Sequence, residues 1–157
     1  MSGIVEKRLR DLGVELPEAI EPKVAKIKAY NQAGSFLYVS GQVPQWNGEM
    51  PYIGKIGREF TVQQGYDAAR MSALNVIAHV KKALDGDLDR VVKVAKLKGY
   101  VNVTQDLAEV AAVVNGASEL MVEVFGQEIG AHARTVAGVS SMPFNVAIEV
   151  EADFLVT

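Results

Sequence analysis

Cysteine is absent from this chain. That excludes disulfides, thiol nucleophiles and thiolate-held metals. Histidine is nearly absent, with only His79 and His132 among 157 residues. A zinc site would need both of them plus converging carboxylates, so no metal is expected. A basic excess is also missing: 16 Lys and Arg stand against 19 Asp and Glu, for a net charge of −3. Phosphate contacts need Lys and Arg, so the charge gives no support to a nucleic-acid partner. Long apolar runs are missing too. The first residues, MSGIVEKRLRDLGVEL, carry charges every few positions. No segment approaches the roughly 20 apolar residues of a membrane span. The expectation is a cytoplasmic protein with no membrane partner.

What is present is ordinary globular material, 49% hydrophobic and 22% charged. The length suits one domain over residues 1–157, with 1–23 as an N-terminal arm. Repeats, low-complexity stretches and charge blocks do not occur. A short helix is expected from Ser2 to Leu12, stopped by Gly13. Val24 to Ala29 alternates and reads as a strand, and Phe36 to Val39 reads as a second. Thr61 with Gln64 forms a capping box for a long helix whose apolar positions run from Tyr66 to Leu84. Leu88 to Val103 is β-rich, with a bend expected near Gly99. Asp106 with Glu109 suggests a second capped helix, closed by Gly126. Arg134 to Ser140 and Val146 to Val156 complete the set.

The expected order is β, β, α, β, α, β, β, with both helices on one face of a single sheet. In the last strand Val146, Ile148, Val150 and Phe154 share one face, and Glu149, Glu151 and Asp153 the other. Arg134 and Val136 share a parity on the preceding strand. The uncovered face is therefore read as mixed, which fits a subunit interface, a lined cavity or a wet charged surface.

These residues carry a family likeness. Ala133-Arg134-Thr135-Val136-Ala137-Gly138-Val139, then Met142-Pro143, then Val146-Ala147-Ile148-Glu149-Val150-Glu151-Ala152, resembles the C-terminal signature of the YjgF/RidA family. Ser40-Gly41-Gln42-Val43-Pro44 resembles its S-G-Q-I/V-P landmark, and Asp106-Leu107 falls where the family places it. The likeness spans roughly Val24 to Val156. It implies an α+β, chorismate-mutase-like fold: a six-stranded, mostly antiparallel sheet with two helices on one face. It further implies a homotrimer with ligand clefts between subunits. The activity implied is hydrolysis of reactive enamines and 2-imino acids to 2-oxo acids and ammonia.

Such hydrolysis requires no metal or organic cofactor. A guanidinium can hold the substrate carboxylate by two parallel hydrogen bonds. A carboxylate can then orient the attacking water or take its proton. By resemblance these are Arg134 and Glu149, brought together by two adjacent antiparallel strands. Ser40, Gly41, Gln42, Asn115 and Val136 are the other expected binding positions, with His132 at the edge. Arg134 is also open to a plain cross-strand pairing with Glu149 or Glu151, Ser-Gly to a plain turn, and Asn115 to a plain surface position. His79 reads as a half-buried packing residue, and Trp46 and Tyr52 as ligand contacts, subunit contacts or loop staples.

The sequence departs from deaminating relatives at two places. Ile27 stands where they carry the Tyr of a Gly-Pro-Tyr, and Val136 where they carry a hydroxyl or thiol. Both changes remove polar groups from the expected cleft. The alternative function is therefore a trimeric module that binds a small carboxylate metabolite without chemistry. Ribonuclease action is opposed by the acidic balance and the lack of a histidine pair, and chorismate mutase activity would rest on fold analogy alone.

Overall fold

The computed structural model describes residues 3–23 and 25–157. Helix α1 (Ile4–Leu12) places Val5 and Leu9 in the core and ends at Gly13, which turns left-handed at φ 66°. Asp89 caps its start, accepting from the backbone N–H groups of Ile4 and Val5 at 2.8 and 2.9 Å. The N-terminal arm thus begins with a helix docked on the body, where Arg8 Nη1 donates to the Val124 carbonyl at 3.0 Å.

Strands β1 (Tyr30–Ala33) and β2 (Phe36–Gln42) form a hairpin. The strand expected at Val24–Ala29 does not form. Val24 lies outside the described residues, and residues 25–28 are exposed. Apolar–polar alternation gives a strand only when one face finds a core, and Ile27 is 60% exposed. The segment is instead tied to β2 by Ser40, whose N–H donates to the Ala29 carbonyl and whose hydroxyl donates to the Lys28 carbonyl.

Helix α2 (Val62–Ala83) starts at the expected capping box: Thr61 accepts from the Gln64 N–H, and the Gln64 side chain accepts from the Thr61 N–H. Strand β3 (Val91–Asn102) follows a short 3₁₀ turn. Its irregularities fall at Val91/Lys93 and Val94/Lys96, and its register against the last strand is unbroken through Gly99, so the expected bend there is absent. Helix α3 (Val110–Phe125) begins later than expected. Glu109 occupies the cap without a side-chain hydrogen bond, and Asp106 stands outside. A single turn, α4 (Gln127–Gly130), leads to β4 (Ala133–Val139), and β5 (Ile148–Val156) closes the chain.

Among the described residues the sheet has five strands, in the order β1-β2-β5-β3-β4. The six-stranded, mostly antiparallel expectation is corrected in two respects. One strand is missing, and β4 pairs with β3 in parallel. The reason is the connection. β3 and β4 are joined through the 16-residue α3, and a helical crossover returns the chain in the same direction. β5 then lies between β2 and β3, antiparallel to both. Among the described residues the main helices are three: α2 and α3, and the expected N-terminal helix α1.

The core lies between the sheet and α2–α3. Its largest buried side chains include Phe154, Leu37, Ile77, Leu97, Leu120 and Ile148. Each such residue contributes on the order of 1.5–3 kcal/mol by leaving water. The two helices approach closely at Gly116, where an added Cβ would stand 2.0 Å from the Tyr66 carbonyl oxygen. No described helix is long and apolar enough to cross a membrane.

Candidate functional site

Register decides where the expected site residues point. Arg134 aligns with Leu97 on β3, and Leu97 aligns with Ala152 on β5. Leu97 and Ala152 are buried on the helix-covered face. Arg134 therefore projects on that side, at the edge of the sheet. Glu149 aligns with Tyr100, three residues beyond Leu97, and projects from the other face. The strands carrying Arg134 and Glu149 are not neighbours, because β3 lies between them. The two residues thus do not converge within one chain, and the adjacency expected from the short β4–β5 connection is corrected.

Arg134 is held by α3. Its Nη1 donates to Asn115 Oδ1 at 2.8 Å and to Ser118 Oγ at 3.3 Å. Among the described residues it forms no ion pair, so neither Glu149 nor Glu151 neutralises it. Asn115, expected as a binding residue or a plain surface position, is its first support. Val136 aligns with Gly99 and packs against the core. Arg134 stands on a cavity of about 580 Å³ lined by Ser118, Val122, Glu123, Ala131 and His132. His132 Nδ1 lies 2.6 Å from the Gly130 carbonyl and Nε2 lies 3.0 Å from Ser118 Oγ. Burial, aided by the Arg134 charge, holds the imidazole below its usual pKa.

Glu149 occupies a second cavity, of about 390 Å³, with Ser40, Gly41, Gln42, Ile27 and Phe144. Here Ser40-Gly41 forms an irregularity between Val39 and Gln42 in the β2–β5 pairing. The backbone and the side chain meet closely at Gly41, where an added Cβ would stand 1.9 Å from Glu149 Oε1. Only glycine lets the carboxylate lie against this backbone. Gln42 is buried, its amide donating to the Ser40 carbonyl at 3.0 Å. Burial, and after it the nearby Glu151, pushes the Glu149 carboxyl above its usual pKa. Ile27 reaches this cavity, as the count back from Ser40 implied.

Trp46 and Tyr52 line neither cavity. Tyr52 packs edge-on against Phe60, a loop staple. His79 is fully buried in α2 rather than half-buried. Among the described residues no cluster of three His, Asp or Glu is placed to hold a metal.

Two contributors went unread in the sequence. Ser118 follows Asn115 by three, one helical turn along the same face of α3, and that spacing was the available signal. Asn102 is fully buried, donating to the Val146 carbonyl and Asn145 Oδ1 at 3.1 and 3.2 Å and accepting from Lys55 Nζ at 2.6 Å. It fixes the turn that delivers Phe144 to the Glu149 cavity. A lone Asn ending an apolar strand was its only mark.

The remaining face, opposite the helices, carries Phe36 and Tyr38 stacked at 6.2 Å, beside Lys98, Tyr100 and Glu151. Tyr100 donates to Glu151 at 3.2 Å, and Lys98 lies 3.7 Å from the same carboxylate. Exposed aromatics among paired charges suit a surface between copies.

Residues 6–152 match the model of a family described as "YjgF/chorismate mutase-like, putative endoribonuclease". The chain is 43% identical to the Trypanosoma cruzi protein TCP17, over 96% of this chain and 93% of the other. A crystal structure from Agrobacterium tumefaciens, of unknown function, is 38% identical with a TM-score of 0.89, covering 98% of this chain and 92% of that one. Another, from Shewanella oneidensis and named a putative endoribonuclease, is 36% identical with a TM-score of 0.93, covering 98% and 100%.

Proposed function

Because the chain belongs to the YjgF/chorismate mutase-like family, we propose that it hydrolyses enamine or 2-imino acids in a cleft completed by two copies of itself. The observation that carries this reading is the Arg134 guanidinium, propped by Asn115, without a carboxylate partner, over a cavity. An unneutralised guanidinium in that setting suits the carboxylate of a small acid.

The two half-sites support assembly. Arg134 and Glu149 sit on opposite faces of one sheet, so a single chain offers a grip without a base and a base without a grip. A second copy, docked through the face that bears Phe36 and Tyr38, supplies the missing half. A homotrimer satisfies every copy at once, since a closed ring leaves no half-site unpaired.

In such a cleft Arg134 holds the carboxylate and fixes the adjacent C=N carbon. Glu149 orients a water and takes one of its protons as the new C–O bond forms. The C=N π pair moves to nitrogen, which collects a proton. The resulting carbinolamine loses its nitrogen as ammonia when the C–N bond breaks, leaving the 2-oxo acid. A raised Glu149 pKa makes it a better proton acceptor near neutrality than an ordinary surface carboxylate.

A second reading, capture of a carboxylate without chemistry, is favoured by Ile27 in the Glu149 cavity and by Val136 packed into the core. One assay divides them. 2-Iminopropionate is generated by a dehydratase, and ammonia release is followed with the parent protein and with Arg134→Ala. Faster release with the parent, and none with the variant, supports hydrolysis. No acceleration, with 2-oxo acids raising the Tm of the parent alone, supports binding. No acceleration and no thermal shift rejects both.

A further inference from the structure

Ser118 and His132 stand in an arrangement that imine hydrolysis does not use. The His132 Nδ1–H donates to the Gly130 carbonyl at 2.6 Å. That bond fixes the tautomer and leaves Nε2 unprotonated, 3.0 Å from Ser118 Oγ. Ser118 therefore points its proton at a base which is itself oriented by a third group. Arg134 Nη1 lies 3.3 Å from the same hydroxyl oxygen. All three side chains line one cavity of about 580 Å³, with Val122 and Ala131 giving it apolar wall.

We propose that Ser118, His132 and Arg134 form an acyl-transfer centre, with Ser118 the nucleophile, His132 its base, and short-chain esters the substrate class. The Ser118 Oγ–C bond forms as the hydroxyl proton passes to His132 Nε2. The carbonyl π pair collects on its oxygen, which the Arg134 guanidinium faces. It returns as the C–O bond to the alcohol breaks, and the alcohol leaves with the proton from Nε2. Water, giving a proton to the same nitrogen, then attacks the acyl carbon; the Ser118 Oγ–C bond breaks, Oγ takes the proton back from Nε2, and the acid leaves. The cavity accepts an acyl chain against Val122 and Ala131, and its open mouth leaves room for the alcohol.

The groups facing His132 are Arg134, two residues on in β4, and Ser118, Glu119 and Glu123 on α3. Glu119 accepts from the Tyr66 hydroxyl, and Glu123 is paired to Arg70 at 3.1 Å. Both carboxylates are thus already engaged. Burial keeps His132 neutral, the form a base requires, at neutral pH.

This centre shares Arg134 with the proposed imine site but needs neither Glu149 nor a second copy. The experiment is covalent labelling of the full chain with an alkyl fluorophosphonate, read by intact mass and by the Ser118 peptide, alongside p-nitrophenyl acetate turnover. One adduct on Ser118 is expected, absent in Ser118→Ala. His132→Asn should slow labelling on the order of 100-fold. The labelling rate should rise with pH and level off by about pH 7, following loss of the imidazole proton. No adduct at Ser118, or a His132→Asn rate equal to the parent's, overturns the proposal. Should that variant fail to fold, a flat pH profile in the parent overturns it equally. Labelling does not involve an imine, so it can succeed where ammonia release fails, and the reverse.

Discussion

The Arg134 cavity and the Glu149 cavity are built on different physics. At Arg134 a charge at the sheet edge is steered by polar neighbours, with Asn115 and Ser118 on α3 accepting from one guanidinium nitrogen. At Glu149 a charge is held by steric fit. The carboxylate rests on a bare stretch of backbone at Gly41, with Ile27 and Phe144 around it. The first arrangement leaves the group without a carboxylate partner and available. The second disfavours the ionised form and so raises proton affinity. A grip needs the first kind of surroundings and a base the second. The difference between the cavities is thus itself an argument for division of labour.

The sharpest way to break this comparison is Arg134→Ala. Ammonia release from 2-iminopropionate should fall by about 100-fold or more, with Arg134→Lys recovering little of it because a single ammonium lacks the paired donors. Full activity in the alanine variant would show that the edge cavity plays no part. Next in size is Gly41→Ala. The new methyl displaces the Glu149 carboxylate, and kcat should drop about 10-fold or more while KM for the substrate hardly moves. A change confined to KM would contradict the assignment of a base.

Asn115→Ala tests the steering on the other side. Losing one hydrogen bond of about 1 kcal/mol should raise KM about 5-fold with little change in kcat. The smallest effect is thermal. Since burial lifts the Glu149 pKa, the folded chain binds more protons than the unfolded one above the ordinary carboxylate range. Its stability contribution is therefore favourable at low pH and declines as pH rises through the raised value. Glu149→Gln should raise Tm by about 2 °C at pH 7 and leave it unchanged near pH 4, measured by calorimetry.

Much of this was legible in the residues. The Thr61 capping box and the alternation of β5 are local signals, and the structure keeps both. What was not legible is pairing. Arg134 and Glu149 are close in sequence, and closeness in sequence suggests a hairpin. The strand between them sets Leu97 opposite Arg134, 37 residues on, and Tyr100 opposite Glu149, 49 residues on, an inter-strand register that no local pattern encodes. The strand expected at Val24–Ala29 failed for a related reason: residues 25–28 stay exposed, and of the described part only Ala29 reaches the core. Ser118 escaped because a serine on a helix has many ordinary reasons to be there.

The contact between α2 and α3 at Gly116 gives the helix pair no slack. Asn115 precedes that glycine and Ser118 follows it by two, so the crossing point and the hands that steer Arg134 belong to one turn of helix. A single methyl at residue 116 would act as a wedge against the Tyr66 carbonyl. Its push would be transmitted along α3 to the sheet edge, so that a substitution buried between two helices would be noticed first as a loosened hold on an anion at the surface.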